Sequence, residues 1–271
     1  MTFRQLFKGS LFRFEDLSQA RSTPFWKSII YLIGLSILLA IPTVYQAFQV
    51  MTQIKADSLK IVQKVPDFTI EDGQIKTDSN DQGFIYQTDS IIFTFDPAGK
   101  RSQKEVEKDL VGNYFSVGLL KSKAVVVLPD YGGISSTMFG DNVLTFSYKQ
   151  EPLKSLTGEK LKAGLKDLEI PAWTPLVMLI AGLYPAFINL FVTLLIAGIA
   201  GTIVAKLRLR RITFFESFKT IVYCATIPTI IATLISLFQP EFDVSLLITF
   251  ISLFIFFRVT TFFPRIELPM K

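Results

Sequence analysis

Histidine is absent from the sequence, and cysteine occurs once, at Cys224. The absence of histidine excludes the usual His-containing catalytic triads and His-ligated metal sites, and it leaves zinc without a plausible set of ligands. A single cysteine cannot form a disulfide within the chain. Carboxylates such as Asp89, Asp96 and Asp130 show no pairing that is typical of acid–base catalysis. We therefore expect neither an enzyme nor a protein that carries a metal ion or cofactor.

Charged residues are missing from four long segments, which predicts a membrane protein. Half of the 271 residues are hydrophobic and 26 are phenylalanine, which is more apolar than an ordinary soluble domain. A span needs about 20 apolar residues, so three of the segments are long enough. The fourth reaches that length only if it includes Arg258 and continues to about Phe263. The uncharged segments are 28–54, 170–205, 220–240 and 244–257.

Lysine and arginine cluster at one side of the predicted helices. They are frequent before the first helix, between the second and third helices, and after the fourth, whereas the connection Gln239-Pro240-Glu241-Phe242-Asp243 has none. By the positive-inside rule, both termini are predicted to be cytoplasmic. The basic residues then face the negatively charged inner leaflet, so we expect anionic lipid, and not nucleic acid, as the electrostatic partner. The first apolar segment is too long for a cleaved signal sequence, so we expect a retained anchor.

The predicted fold is an α-helical membrane protein with four transmembrane helices and an extracellular α+β domain inserted between helices 1 and 2. The boundaries are a cytoplasmic amphipathic segment 1–26, transmembrane helix 1 at 27–50, the extracellular domain with helical stalks at 51–171, transmembrane helix 2 at 172–205, a basic cytoplasmic loop 206–217, transmembrane helix 3 at 218–238, a short external loop 239–243, transmembrane helix 4 at 244–263 and a cytoplasmic tail 264–271.

Sequence patterns also predict elements inside these regions. The first 26 residues place apolar side chains at helical spacing, which favours an interfacial helix, with a disordered tail as the alternative. Helix 1 is expected to continue as a stalk that ends near Pro66. Asp72-Gly73 predicts a hairpin turn between two short strands. The segment 102–115 is predicted to be a helix with a capping box formed by Ser102 and Glu105.

Alternating or β-branched patterns predict three further strands, at 90–96, 123–130 and 142–149. In the first of them, Ile91, Phe93 and Phe95 are expected on one face. Leu161, Leu165 and Leu168 then return to helical spacing. This last helix is interpreted as a descending stalk packed beside the ascending one, or as a cover over one face of the sheet.

The tripeptide Ile-Pro-Thr occurs in helices 1 and 3, at Pro42-Thr43 and Pro228-Thr229. The prolines predict either paired kinks that open a polar cavity within the membrane or tolerated kinks between packed helices. The threonines are candidates to satisfy backbone groups that the prolines leave free. In helix 2, Pro185 is a further candidate kink. Asn189 is the most polar side chain inside that helix and is interpreted as a helix–helix hydrogen bond or a substrate ligand.

Two further features are candidates for packing or binding. Ala197, Gly201 and Ala205 form a stripe of small residues at four-residue spacing, which favours close helix packing within the chain or between two copies in a homo-oligomer. The Gly-rich and Ser-rich loop that contains Tyr131, Gly132 and Gly133 is a candidate partner loop or a solvated connection. No ionisable residue lies at the centre of the first three helices, which argues against ion-coupled pumps.

Three stretches carry a resemblance to a known family: VPDFTIEDGQIKTDS, IIFTFDPAGKRS and LRLRRITFFESFKTIVYCATIPTII. Together they resemble a domain-of-unknown-function family of integral membrane proteins from Gram-positive bacteria, some of which are labelled maltodextrin utilisation proteins. The resemblance runs from about Leu17 to Phe263, and a more remote one extends to Yip-type membrane proteins. It implies a polytopic membrane protein in the service of a sugar uptake system, and it supplies no catalytic or ligand residues.

Two functions from different classes follow. The first is a non-enzymatic accessory or regulatory membrane protein whose outer domain binds a protein or cell-envelope partner, such as a transporter. The alternative is a small transporter or lipid-handling protein that uses the proline-containing helices 1 and 3. The alternative predicts a cavity bordered by Pro42, Pro228 and Asn189. An extracellular hydrolase would need two carboxylates about 5 to 9.5 Å apart in a cleft, and we expect none.

Overall fold

The computed structural model describes residues 3–77, 83–110, 112, 114–129 and 141–265. The chain forms two compact units, which we call the helical unit and the α+β unit. The helical unit comprises Met1–Ala47 and Ala172–Lys271, and the α+β unit comprises Phe48–Pro171.

The described helices are α1 (Phe3–Phe12), α2 (Phe25–Val62), α3 (Gln103–Lys108), α4 (Gly158–Lys166), α5 (Thr174–Leu207), α6 (Phe214–Cys224), α7 (Thr226–Phe238) and α8 (Val244–Val259). Three short 3₁₀ helices lie at Asp16–Ser22, Leu153–Ser155 and Thr260–Phe262. The strands are β1 (Phe68–Glu71), β2 (Gln74–Thr77), β3 (Phe84–Gln87), β4 (Ile91–Asp96), β5 (Phe115–Leu120), β6 (Lys123–Val127) and β7 (Val143–Ser147).

Three helical segments in the described chain are long and apolar enough to cross a bilayer: α2, α5 and Val244–Phe262. A fourth crossing is reached only if α6 and α7, which are bent by 48° relative to each other, are counted as one span. The expectation of a mostly helical protein with several apolar spans and a small β-sheet region is therefore confirmed at this level. The fourth predicted span, Val244–Phe262, which includes Arg258, is long and apolar enough by itself. The span that stays uncertain is therefore the predicted helix 3, which is divided into α6 and α7.

The break between α6 and α7 has a local cause. Helix α6 begins with a capping box formed by Thr213 and Glu216 and ends at Cys224. Pro228 is the third residue of α7. Proline is tolerated in a first turn, because its missing N–H would have no partner within the helix there. The proline thus lies just after the break at Ala225 and not at the centre of one continuous helix.

The N-terminal segment is part of the core of the helical unit. Leu6 of α1 and Leu17 and Ala20 of the following 3₁₀ helix are fully buried, and they pack in one cluster with residues of α2, α5, α6, α7 and α8. The side chain of Lys8 faces solvent. Helix α1 therefore lies against other helices of the same chain through Leu6, whereas the side chain of Phe7 is exposed.

In the α+β unit, β1 and β2 form the hairpin that the sequence predicts. Asp72 and Gly73 have φ angles of 52° and 73°, as a tight turn of this kind requires. The main sheet has the order β3-β4-β5-β6-β7, in which only the β4–β5 pair is parallel. Parallel neighbours need a crossover connection, and α3 supplies it. The capping box of Ser102 and Glu105 at the start of α3 is confirmed.

Strand β4 is buried on both faces. Ile91, Phe93 and Phe95 share one cluster, as predicted, but Ile92 and Thr94 are buried as well. The alternating sequence pattern alone does not predict that this second face of β4 is buried as well. The predicted helix 102–115 is also too long, because α3 ends at Lys108 and the chain re-enters the sheet as β5.

The predicted descending stalk is a helix of nine residues, α4, which ends at Lys166. Leu168 lies beyond it and is exposed. Leu161 and Leu165 lie beside both the last turns of α2 and one face of the sheet, so the two interpretations of this segment describe one arrangement.

Candidate functional site

The α+β unit has an apolar cavity between the end of α2, the sheet and α4. Its volume is about 210 Å³, and Ser58 is the single polar side chain among the described residues that line it. Side chains on one face recur every three to four residues in α2 and every second residue in the strands. The two spacings do not match, so the side chains leave a gap where the helix packs on the sheet. We call it the apolar cavity. Its lining residues are Ser58, Ile61, Val62, Val65, Ile91, Phe93, Val117, Leu119, Leu161 and Leu165.

Asp57 fixes α2 against the start of β4, beside this cavity. Its fully buried carboxylate accepts hydrogen bonds from the backbone N–H and the hydroxyl of Ser90, at 2.9 and 2.7 Å, and from Gln53 Nε2 at 3.2 Å. Lys60 Nζ lies 2.9 Å from the same carboxylate. Burial alone would raise the pKa of Asp57, but the hydrogen bonds from Lys60, Ser90 and Gln53 outweigh it and hold that pKa well below its usual range.

A polar cleft lies next to the Asp57 cluster. Its volume is about 500 Å³. Lys60 and Asp89 supply opposite charges, and the ammonium group of Lys64 lies 3.7 Å from the ring centroid of Tyr86. The cleft can therefore accept a surface that combines aromatic, hydrogen-bonding and charged groups. Its lining residues are Lys60, Tyr86, Gln87, Thr88, Asp89 and Tyr114.

Neither of these two sites follows from the sequence patterns. The apolar spacing of α2 beyond its uncharged segment was visible, but the strand residues that complete the cavity belong to β4 and to the unpredicted strand β5. The tyrosines of the polar cleft lie on or next to β3 and β5, which the patterns also missed.

The six candidate kink or cavity residues do not line any cavity that we describe. Pro42 and Pro228 are buried, whereas Thr43, Pro185 and Asn189 are exposed. The hydroxyl of Thr229 is buried and makes no hydrogen bond to a described residue.

Asn189 links two helices of the helical unit. Its carbonyl oxygen lies 3.4 Å from the hydroxyl of Ser245 on α8 and 3.3 Å from that of Thr193 on its own helix. This contact corresponds to the helix–helix interpretation of Asn189.

The stripe of small residues in α5 packs within the chain. Ala197, Gly201 and Ala205 are buried. A Cβ added at Gly201 would lie 2.6 Å from Ile221 Cδ1 and 3.0 Å from Phe256 Cε1. The stripe therefore gives α5 close contact with α6 and α8. The candidate loop residues Tyr131, Gly132 and Gly133 lie outside the described residues.

Hydroxyl groups gather at the break between α6 and α7. The Tyr31 hydroxyl on α2 lies 2.6 Å from that of Thr226 and 3.2 Å from that of Ser10 on α1. Thr226 also donates a hydrogen bond to the carbonyl oxygen of Tyr223. These groups link three segments of the helical unit through neutral side chains.

In the described part of the chain, no three His, Cys, Asp or Glu side chains lie close enough together to hold one metal ion. No curated protein and no solved structure matches the sequence. A family described as protein of unknown function, DUF1189, matches residues 3–261, which is nearly the whole chain. The chain therefore belongs to the DUF1189 family.

Proposed function

We propose that the protein is a non-enzymatic membrane accessory protein whose α+β unit binds a partner protein on the outer side of the membrane. The observation that carries this proposal is the apolar cavity next to the polar cleft. Residues at the end of α2 and residues just before or within β4 contribute to the lining of both. The outer location rests on the distribution of basic residues in the sequence.

The dimensions of the apolar cavity fit a side chain better than a larger ligand. About 210 Å³ accommodates one or two large hydrophobic side chains, and one hydroxyl in the lining offers little to a polar molecule. Buried anchor residues of this kind carry much of the energy of protein–protein interfaces. We therefore assign the cavity to an aliphatic or aromatic anchor of the partner.

The polar cleft suits the rim of the same interface. Protein interfaces combine an apolar centre with a polar rim, and tyrosine is enriched in them. Tyr86 and Tyr114 supply aromatic surface, while Lys60 and Asp89 require a partner with groups of both charges. A ligand whose charges are all of one sign is not favoured.

The partner that we propose is a membrane or envelope component of a sugar uptake system. This step is supported only by the resemblance to proteins that are labelled maltodextrin utilisation proteins. The apolar cavity is not proposed as a sugar site, because saccharides need many hydrogen-bonding groups and the lining has one hydroxyl.

The binding surface can be tested by photo-crosslinking in native membranes. A photoreactive amino acid replaces Leu165, which lines the cavity, or Gln150, which is exposed elsewhere in the α+β unit. We expect a discrete crosslinked species from position 165 and none from position 150. Val117→Phe should fill the cavity and abolish that species, whereas Ile85→Phe on the exposed strand β3 should leave it unchanged.

Two controls keep this test decisive. Thermal unfolding and gel filtration of the detergent-solubilised variants establish that Val117→Phe still folds. A crosslink at position 165 that survives in folded Val117→Phe, or no crosslink at that position, would overturn the proposed interface.

The sugar link has a separate test. Cells that lack the gene should take up labelled maltodextrin more slowly, and the wild-type chain should restore the rate while Val117→Phe does not. Unchanged uptake in the deletion strain would remove the sugar system while leaving the crosslinking result intact.

A second candidate function is a small transporter or lipid-handling protein, which the broken α6–α7 span favours. Discontinuous helices in transporters supply binding groups at the break. The single cysteine, Cys224, lies at this break and is buried. A transporter that opens here should let a water-soluble thiol reagent reach Cys224 in intact membranes. Absence of labelling, with efficient labelling of Ser155→Cys in a Cys224→Ala chain, would exclude an aqueous opening.

A further inference from the structure

A polar cavity of about 270 Å³ lies where the first 3₁₀ helix meets the N-terminus of α2. We call it the basic cavity. Its described lining residues all belong to the helical unit, and none of them lines the apolar cavity or the polar cleft of the α+β unit. Its lining residues are Ser18, Gln19, Arg21, Ser22, Thr23, Pro24, Lys27 and Phe262.

The charge of the basic cavity has one sign. Among the described residues of the lining, Arg21 and Lys27 are charged and none carries a carboxylate. Neither cation forms an ion pair with a described residue. Ser18, Ser22 and Gln19 add neutral hydrogen-bond donors. Two cations without a carboxylate, together with hydroxyl and amide donors, form a set that suits a phosphate group.

The fold holds this lining in place. The hydroxyl of Thr23 donates a hydrogen bond to the carbonyl oxygen of Ala20 at 2.7 Å, which closes the 3₁₀ helix. Lys219 of α6 donates to the carbonyl oxygen of Thr23, also at 2.7 Å, and so brings a third cation near the cavity. Helix α2 begins at Phe25, so the positive end of its dipole lies at the same place.

One exposed aromatic residue lines the cavity and two more lie between lining residues in the sequence, and this aromatic surface favours a lipid over a soluble anion. Trp26 is 59% exposed and Phe262, which lines the cavity, is 51% exposed. Phe25 is exposed as well. Aromatic residues at the end of a membrane-spanning helix lie at the level of the lipid headgroups. Acyl chains could therefore pass these rings while the headgroup enters the cavity.

We propose that the basic cavity binds the phosphate of an anionic phospholipid, with Arg21 and Lys27 paired to its oxygens and Ser18 and Ser22 donating to them. Phosphate chemistry alone would also admit inorganic phosphate. The apolar, aromatic surroundings favour the lipid. This site makes the contact with the anionic leaflet specific, beyond the general attraction of basic residues to a negative surface.

The test uses the purified full-length chain in a neutral detergent. Native mass spectrometry or thermal-shift titration measures binding of phosphatidylglycerol, phosphatidylcholine and inorganic phosphate. The variant is Arg21→Gln/Lys27→Gln. The matched control, Lys8→Gln/Arg13→Gln, removes the same charge from exposed positions of the same segment. We expect wild type to prefer phosphatidylglycerol to phosphatidylcholine, and the cavity variant to lose about tenfold or more in affinity.

Each other outcome overturns a part of the proposal. Equal losses in the cavity variant and the control would show general surface attraction and no site. Saturable binding of inorganic phosphate that displaces phosphatidylglycerol would make the ligand a soluble anion. Arg21→Lys, which keeps the charge, should retain more binding than Arg21→Gln, and unfolding curves of each variant establish that a loss of binding is not a loss of fold.

Discussion

The hydroxyl oxygens of Tyr31 and Thr226 lie 2.6 Å apart, although 195 residues separate them in the chain. Either hydroxyl can be the donor in this pair, and the Thr226 hydroxyl also lies within hydrogen-bond distance of the carbonyl oxygen of Tyr223. Ser10 lies on the other side of Tyr31, at 3.2 Å. The first residue of α7 is thereby tied to α2 and α1 at the point where the span breaks.

We predict that Tyr31 and Thr226 stabilise the helical unit as a pair. Tyr31→Phe and Thr226→Val each remove one hydroxyl while keeping the approximate shape. Each should lower the free energy of unfolding by about 0.5 to 1.5 kcal/mol, and the double variant should cost less than the sum. Unfolding of the full chain in detergent measures the effects. Tyr184→Phe, at an exposed position of α5, is the control. Additive effects would show that the two hydroxyls are not coupled.

We predict that Asp57 stabilises the α+β unit. Asp57→Asn keeps the size of the side chain but removes the charge and replaces an acceptor oxygen with a donor. Its hydrogen bonds from Ser90 and Lys60 would be lost or weakened, and the free energy of unfolding should fall by about 2 to 3 kcal/mol. Asp89→Asn is the control, because that carboxylate is 78% exposed. A loss for Asp57→Asn no greater than that for Asp89→Asn would contradict this role.

The lowered pKa of Asp57 also predicts a pH dependence. The folded-state pKa lies below the unfolded value of about 4, so the stabilisation is complete above that value and is lost as the pH falls through the folded pKa. The wild-type chain should therefore lose stability progressively as the pH falls below about 4. Asp57→Asn should show a shallower decline in thermal unfolding over this range.

Other carboxyls of the α+β unit do not obscure that comparison. The pKa of Glu71 is lowered by its hydrogen bond from Lys76, and the pKa of Glu105 by the backbone N–H of Ser102. Both are present in wild type and in the variant, so their contributions cancel. Parallel pH profiles for the two proteins would refute the assignment to Asp57.

We predict that Gly201 is required for the close packing of α5. Gly201→Ala places a methyl group against Ile221 and Phe256, which are fully buried and have little room to move. Gly182→Ala in the same helix meets only Val44, at 3.9 Å. Gly182→Ala should raise the free energy of unfolding by up to about 1 kcal/mol, because alanine has the higher helix propensity. The free energy of unfolding of Gly201→Ala should lie about 1 to 3 kcal/mol below that of Gly182→Ala. Equal unfolding midpoints would mean that α6 and α8 adjust without cost.

Elements with local causes could be predicted from the sequence. The hairpin at Asp72-Gly73 follows from two adjacent residues that adopt positive φ angles, and the start of α3 follows from the spacing of Ser102 and Glu105. The apolar spans are equally local, since a long segment without charge is favourable in a bilayer wherever it occurs in the chain. These features need no information about distant residues.

The sites could not be predicted in this way. The apolar cavity combines α2, β4, β5 and α4, and the basic cavity combines the first 3₁₀ helix, the start of α2 and Phe262 from near the other end of the chain. Arg21 and Lys27 were visible as part of a basic segment. Thr23, which lines the same cavity, accepts a hydrogen bond from Lys219, which is 196 residues away in the sequence.

The sequence by itself determined that this chain has several apolar helices, an inserted α+β segment and no histidine chemistry, because composition and short-range spacing decide those properties. Only the tertiary structure decided that the predicted helix 3 breaks at Ala225, that β4 is covered on both faces, and which segments line the apolar cavity, the polar cleft and the basic cavity. The physical reason is the same in each case: buried hydroxyls, strand faces and cavity walls acquire their partners from segments that only folding brings together.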